Sequence, residues 1–258
     1  MELSLRKGDN LGSVDYSGAW LKLQRAEVHI GEVDFLIFQF LRRHTYKISQ
    51  KVDLNSGEAG FEISLKELPP ISISGALGDA VHNLRAALDL AISAIAASRG
   101  KRVDQTYFPF AKDRTEIESM IAKRAGMAGD EAMQICRELK PYQGGNDALW
   151  GLHQADITDK HRALIVAAAI GDFRYRLLPN GPDGGVTIET RIHDLSLEPY
   201  LVPAIEGREF QHPFELGLSI DIVFPVDGAL AGYPVVATAY ELLRMVRGIL
   251  EKFEARCS

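Results

Sequence analysis

A chain of 258 residues that is 46% hydrophobic and 25% charged, with a formal net charge of −6 and a pI near 5.7, can bury a sizeable core. Its charge balance gives no general attraction to nucleic-acid phosphates, though it does not exclude nucleic acid. The only cysteines, Cys136 and Cys257, supply neither a disulfide framework nor a four-cysteine zinc site.

The sequence opens without the apolar core of a secretory signal, and no run approaches the roughly 18 uninterrupted apolar residues that suggest a membrane span. A reduced, cytoplasmic protein with no membrane partner is therefore the expectation. Residues 20–43 place Leu23, Ala26, Ile30, Val33, Ile37 and Leu41 at three- and four-residue spacings, which predicts an amphipathic helix. YKISQKVD and FEISL then alternate around the turn-rich LNSGEAG and read as a β-hairpin that Pro69-Pro70 closes.

Leu77, Val81, Leu84, Leu88, Ile92 and Ile95 mark a second long helix over about 74–97. YFPF (107–110) is an extended corner, because Pro109 lacks an N–H and restricts Phe108. Two shorter helices follow in RTEIESMIAKRA and DEAMQICRELK, the second stopping before Pro141, and a further helix is expected over roughly 147–169. Cys136 falls in apolar helical surroundings and reads as a packed thiol.

After Gly171 the texture becomes strand-like, in FRYRLLP, GGVTIETRI and ELGLSIDIVFP. PNGPDGG (179–185) lacks the phosphate-loop pattern and reads as a hairpin turn. A terminal helix at 234–256 begins at Pro234, which suits a first turn. The expected fold is α+β over a single domain, 1–258. A mainly helical bundle (20–170) with an early β-hairpin precedes an antiparallel strand region (171–230), closed by the long terminal helix.

Two polar stretches interrupt this apolar pattern. In DAVHNLR (79–85), Asp79, His82, Arg85 and Asp89 follow one another at three- and four-residue steps along one strip, with Asn83 beside it. In DITDKHR, Asp159, Lys160, His161 and Arg162 precede ALIVAAAI directly, and Asp156 and His153 lie in the turns before. A solvated flank, an interhelical network and a ligand site would all produce such strips. His29 and Glu32 form a third, surface-like pair.

Imidazole and carboxylate at these positions make Asp79, His82, Asp159 and His161 candidate ligands for a divalent metal. Neither HExxH nor a paired ExxH pattern accompanies them. Without a metal, His82 or His161 could act as general base, with Lys160 assisting, while Asn83, Arg85, Asp159 and Arg162 hold an anion. No GxSxG elbow marks a serine nucleophile.

Taken in order, GDAVHNLRAALD (78–89), YFPF (107–110), LKPY (139–142) and ADITDKHR (155–162) resemble a family of uncharacterised bacterial proteins, with Asp156 and Thr158 departing from the family pattern before the DKHR tetrad. That likeness implies a shared internal polar site or folding network and carries no activity with it. The helical part is also distantly similar to the HEPN class of bundles, many of them ribonucleases or nucleotide-associated. The Arg that should stand four to six residues before the histidine is missing at both His82 and His161, so only the architecture is implied. Function therefore reads as a polar or small anionic-ligand site on facing helices. The alternatives are a metal-dependent phosphoesterase or nuclease, and a homo-oligomeric interaction or regulatory protein.

Overall fold

The computed structural model describes residues 13–52, 59–161, 164, 166–177, 187–203, 214–225 and 228–258. It has the mainly helical α+β fold that the sequence pattern implies, with an early hairpin and an antiparallel strand region closed by a long C-terminal helix. Helix α1 (Ser17–Leu41) buries Leu23, Ala26, Ile30, Val33, Ile37 and Phe40 along one stripe. Strands β1 (Tyr46–Val52) and β2 (Ala59–Leu65) pair antiparallel from Tyr46↔Leu65 to Val52↔Ala59. Alternation buries Phe61, Ile63 and Leu65, while Glu62 between them meets Lys51 in an ion pair.

Helix α2 (Ile71–Ser98) starts directly after Pro69-Pro70, where Ile73 N–H donates to the Pro70 carbonyl at 3.0 Å. By length and composition α2 alone among the described helices could cross a membrane, but 61% of its most apolar window is buried inside the protein, as a core helix would be.

Helices α3 (Ile117–Ala125) and α4 (Asp130–Leu139) follow the extended corner. The acids Asp130 and Glu131 open α4 and Arg137 lies in its last turn, the polarity its dipole favours. Lys140 ends it in the left-handed region at φ 50°, and Pro141 cannot continue it. Cys136 is fully buried on α4, and that burial pushes its thiol up to about 12.

Helix α5 (Asp147–His161) is capped by Asn146, whose Oδ1 accepts the Leu149 N–H at 3.0 Å. Here the structure corrects the expected helix over 147–169, because α5 stops at His161 and strand β3 begins at Ala167. Val166 N–H donates to Ser74 Oγ on α2 at 3.4 Å rather than to a helical carbonyl. From Ala167 the chain is in a sheet, with Ala168 and Ile170 buried in it and Leu164 and Val166 buried just before it. A short apolar run has no period of its own to distinguish buried strand from buried helix.

Strand β3 (Ala167–Leu177) is the centre of a three-stranded antiparallel sheet, flanked by β4 (Thr187–Leu195) and β6 (Phe214–Val223). Its register shifts between Ala168 and Phe173, around Gly171, as at a β-bulge. The expected turn PNGPDGG lies outside the described residues. Strand β5 (Tyr200–Pro203), which no alternation announced, adds to β2 and completes a second three-stranded sheet, β1-β2-β5.

Helix α6 (Val235–Cys257) closes the chain. The residues form two compact units. The first comprises the described residues of 1–28, 80–156 and 240–258 and is helical, and the second comprises the described residues of 29–79 and 157–239 and holds both sheets. In the first unit Tyr16 Oη donates to the Phe253 carbonyl at 3.1 Å, and its burial raises the phenol above its ordinary range. Phe253 meets Phe108 edge-on at 6.5 Å.

The end of α6 is tied to α4 by charge. Arg256 Nη1 donates to both Glu138 oxygens at 3.0 and 2.8 Å, and Lys252 Nζ donates to the same carboxylate at 2.9 Å. The two cations hold the Glu138 carboxyl down at about 2, against an ordinary 4.5. Because the folded state lowers this value, the stabilisation is fully present above pH 4.5 and disappears as pH falls toward 2. The difference in melting temperature between wild type and Glu138→Gln should thus be constant at neutral pH and close between those two limits. It should also shrink in about 1 M salt, where exposed pairs are screened.

Candidate functional site

Every polar residue singled out on α2 has a definite structural position. In the helical unit, His82 Nδ1 lies 3.1 Å from Asp156 Oδ1 on α5. The imidazole is 49% exposed while the carboxylate is 3% exposed. A buried carboxylate accepting from Nδ1 fixes the ring orientation. Asn83, next along α2, is buried, and its Oδ1 accepts from Lys22 Nζ of α1 at 3.2 Å. An ammonium is thereby held on the residue that follows His82 in α2.

Arg85 is used differently. Its side chain is 11% exposed and pairs with Asp89 one turn on. Nη1 meets that carboxylate as an ion pair rather than through an aligned hydrogen bond, and Nε has no hydrogen-bond acceptor among the described residues. The guanidinium lies 4.5 Å from the centre of the Phe110 ring, where cation–π attraction offsets part of its desolvation. His153 stacks on the same ring at 4.2 Å, its plane only 8° from parallel.

The Arg85–Asp89 pair also takes both backbone groups of Phe108. Asp89 Oδ1 accepts the Phe108 N–H at 2.8 Å, and Arg85 Nη2 donates to the Phe108 carbonyl at 3.4 Å. Ala111 N–H in turn donates to the Pro141 carbonyl at 3.1 Å, and Ala111 bridges Tyr142. HNLR, FPF and PY are therefore one connected structure.

In the sheet-bearing unit, Asp159 of α5 lies on Gly78 of α2, so closely that a Cβ at 78 would overlap its carboxylate. Asp79, Lys160 and His161 occupy exposed or partly exposed positions there, and His161 is the last residue of α5. Lys160 and His161 suit that helix end by charge. Arg162 lies outside the described residues. His29 Nδ1 and Glu32 Oε2 are 3.4 Å apart, with Glu32 well exposed, in keeping with a surface pair.

Among the described residues no three His, Cys, Asp or Glu side chains gather as a metal-holding group. Comparison with protein-family models, with curated proteins and with solved structures returns no match.

Spacing did not single out Asp156 as the partner of His82, nor Lys22, nor the Phe110 ring. One overlooked signal was Gly78 itself: glycine inside a helix costs about 1 kcal/mol relative to alanine, so its presence points to a close approach.

Two stability tests follow from these contacts. Asp89→Ala leaves a buried guanidinium and a backbone N–H unpaired and should cost about 3 kcal/mol, read from the denaturant midpoint at unchanged slope. Gly78→Ala should destabilise the wild type. In an Asp159→Ala background the same change should stabilise by about 1 kcal/mol, as an unobstructed helical alanine would.

Proposed function

We propose that the protein binds a small oxyanion-bearing ligand at the His82 site of the helical unit, with His82, Asn83 and Lys22 as the contacting groups. One observation carries the reading: a half-exposed imidazole held at Nδ1 by a nearly fully buried carboxylate. A solvated helix flank gives no reason to bury Asp156, because a buried carboxylate needs partners that offset its desolvation. Here the partner is an imidazole whose other nitrogen remains available.

Protonated His82 donates from Nε2 to an anionic oxygen, and the Lys22 ammonium adds a second cationic donor. Neutral His82, with its proton on Nδ1, presents the Nε2 lone pair instead. On a hydrolysable ligand the same geometry therefore serves proton transfer, and this is the route by which the site would be catalytic. Arg85 takes no direct part in this reading, since its guanidinium is engaged with Asp89, Phe108 and Phe110.

Titration of the protein with inorganic phosphate, followed by the imidazole nitrogen resonances of His82, tests the proposal. Phosphate should shift the Nε2 signal. His82→Ala and Lys22→Ala should weaken calorimetric phosphate binding at least tenfold, and His82→Ala, which strips the buried Asp156 of its imidazole partner, should also cost about 1–3 kcal/mol of stability. Asp156→Asn should weaken binding and alter the tautomer balance seen in the same spectra. Equal phosphate affinity in wild type and His82→Ala would overturn the reading.

A further inference from the structure

Helix α1 has a second apolar stripe, on the side opposite its core. Leu21, Val28, Phe35 and Phe38 are each more than half exposed. Leu21, Val28 and Phe35 recur every seven residues, and Phe38 falls at the companion position three residues after Phe35. Gly31 lies on the same line, with nothing within 4 Å of where its Cβ would be. In heptad terms 21, 28 and 35 are a positions, all apolar, and 24, 31 and 38 are d positions, filled by Gln24, Gly31 and Phe38; a polar residue at one such position is a known way of setting register in a helix pair. An exposed row of this kind is unusual, whereas single exposed apolar residues are not.

The charges beside the stripe indicate which partner. Arg25 and Glu32 lie on one flank, Glu27 and Asp34 on the other. A parallel second copy would set Glu27 against the other copy's Glu32, like against like. An antiparallel second copy sets Arg25 against the other copy's Glu32, twice by symmetry. It also brings Val28 over the opposite Gly31, where the missing side chain admits it, and Phe38 over the opposite Leu21. The remaining like-charge approach, Glu27 to Asp34, is eased because Arg247 already lies 3.1 Å from Glu27.

We infer that α1 pairs antiparallel with α1 of a second copy of this chain, through Leu21, Val28, Gly31, Phe35 and Phe38, with Arg25–Glu32 pairs setting the orientation. The seam runs about 26 Å from Leu21 to Phe38 at 1.5 Å per residue. That is short for a standard interface, so dissociation is expected on the order of 10 μM. The inference is independent of the His82 site.

Sedimentation equilibrium of the full chain, from about 1 to about 300 μM, tests it. Wild type should pass from monomer to dimer over that range. Val28→Glu should remain monomeric, with an unchanged melting temperature showing that it is folded. Arg25→Glu and Glu32→Arg should each weaken dimerisation about tenfold, and the double variant Arg25→Glu/Glu32→Arg should restore it. Monomer at every concentration would overturn the proposal. So would a dimer indifferent to Val28→Glu, or charge variants that fail to rescue one another.

Discussion

The helical unit depends on how the polar backbone of Phe108 is satisfied. Pro109 removes one ladder donor and holds Phe108 extended, so the segment can join neither helix nor sheet in the usual way. Asp89 accepts its N–H and Arg85 reaches its carbonyl. The pair thereby lets an irregular segment deliver the Phe108 and Phe110 rings to the core, where their centroids lie 5.1 Å apart. An Arg–Asp pair on a helix surface would contribute a few tenths of a kcal/mol. Here its removal would leave buried groups unpaired, which costs several times more.

The same reasoning separates polar residues whose side chains are enclosed from those that remain partly exposed. Arg85 is enclosed by an acid, a ring and a carbonyl. Asp159 is pressed onto Gly78, a contact that only glycine permits. His82 alone of these combines a buried anchor with an exposed ring.

Both polar strips lie on helices that also supply core residues. Helix α2 buries apolar side chains along its whole length, yet carries His82, Asn83, Arg85 and Asp89 within two turns. Such density is tolerated because each polar group meets a partner from another element: α1 through Lys22, α5 through Asp156, and the extended corner through Phe108. Polar networks of this kind favour one arrangement of the helices, because sliding a helix by a turn would leave the polar groups it pairs without partners.

The sequence by itself determined the element types wherever a period was sustained over several turns. Helices α1, α2 and α6 repeat their apolar residues every three or four positions, β2 alternates, and Pro69, Pro109 and Pro141 mark the breaks. It also identified 79–85 and 156–162 as places where polarity interrupts a core pattern. The end of α5 was not legible, because ALIVAAAI is apolar throughout and only pairing of β3 with β4 and β6 makes its second half a strand. Nor could periodicity give β5, whose four residues are held by pairing with β2. Tertiary structure alone decided that His82 pairs with Asp156 and that the Arg85–Asp89 pair, already implied by its four-residue spacing, takes the backbone of Phe108. Spacing fixes which residues share a face of one helix, whereas partner choice depends on distances between elements, which helical period does not encode.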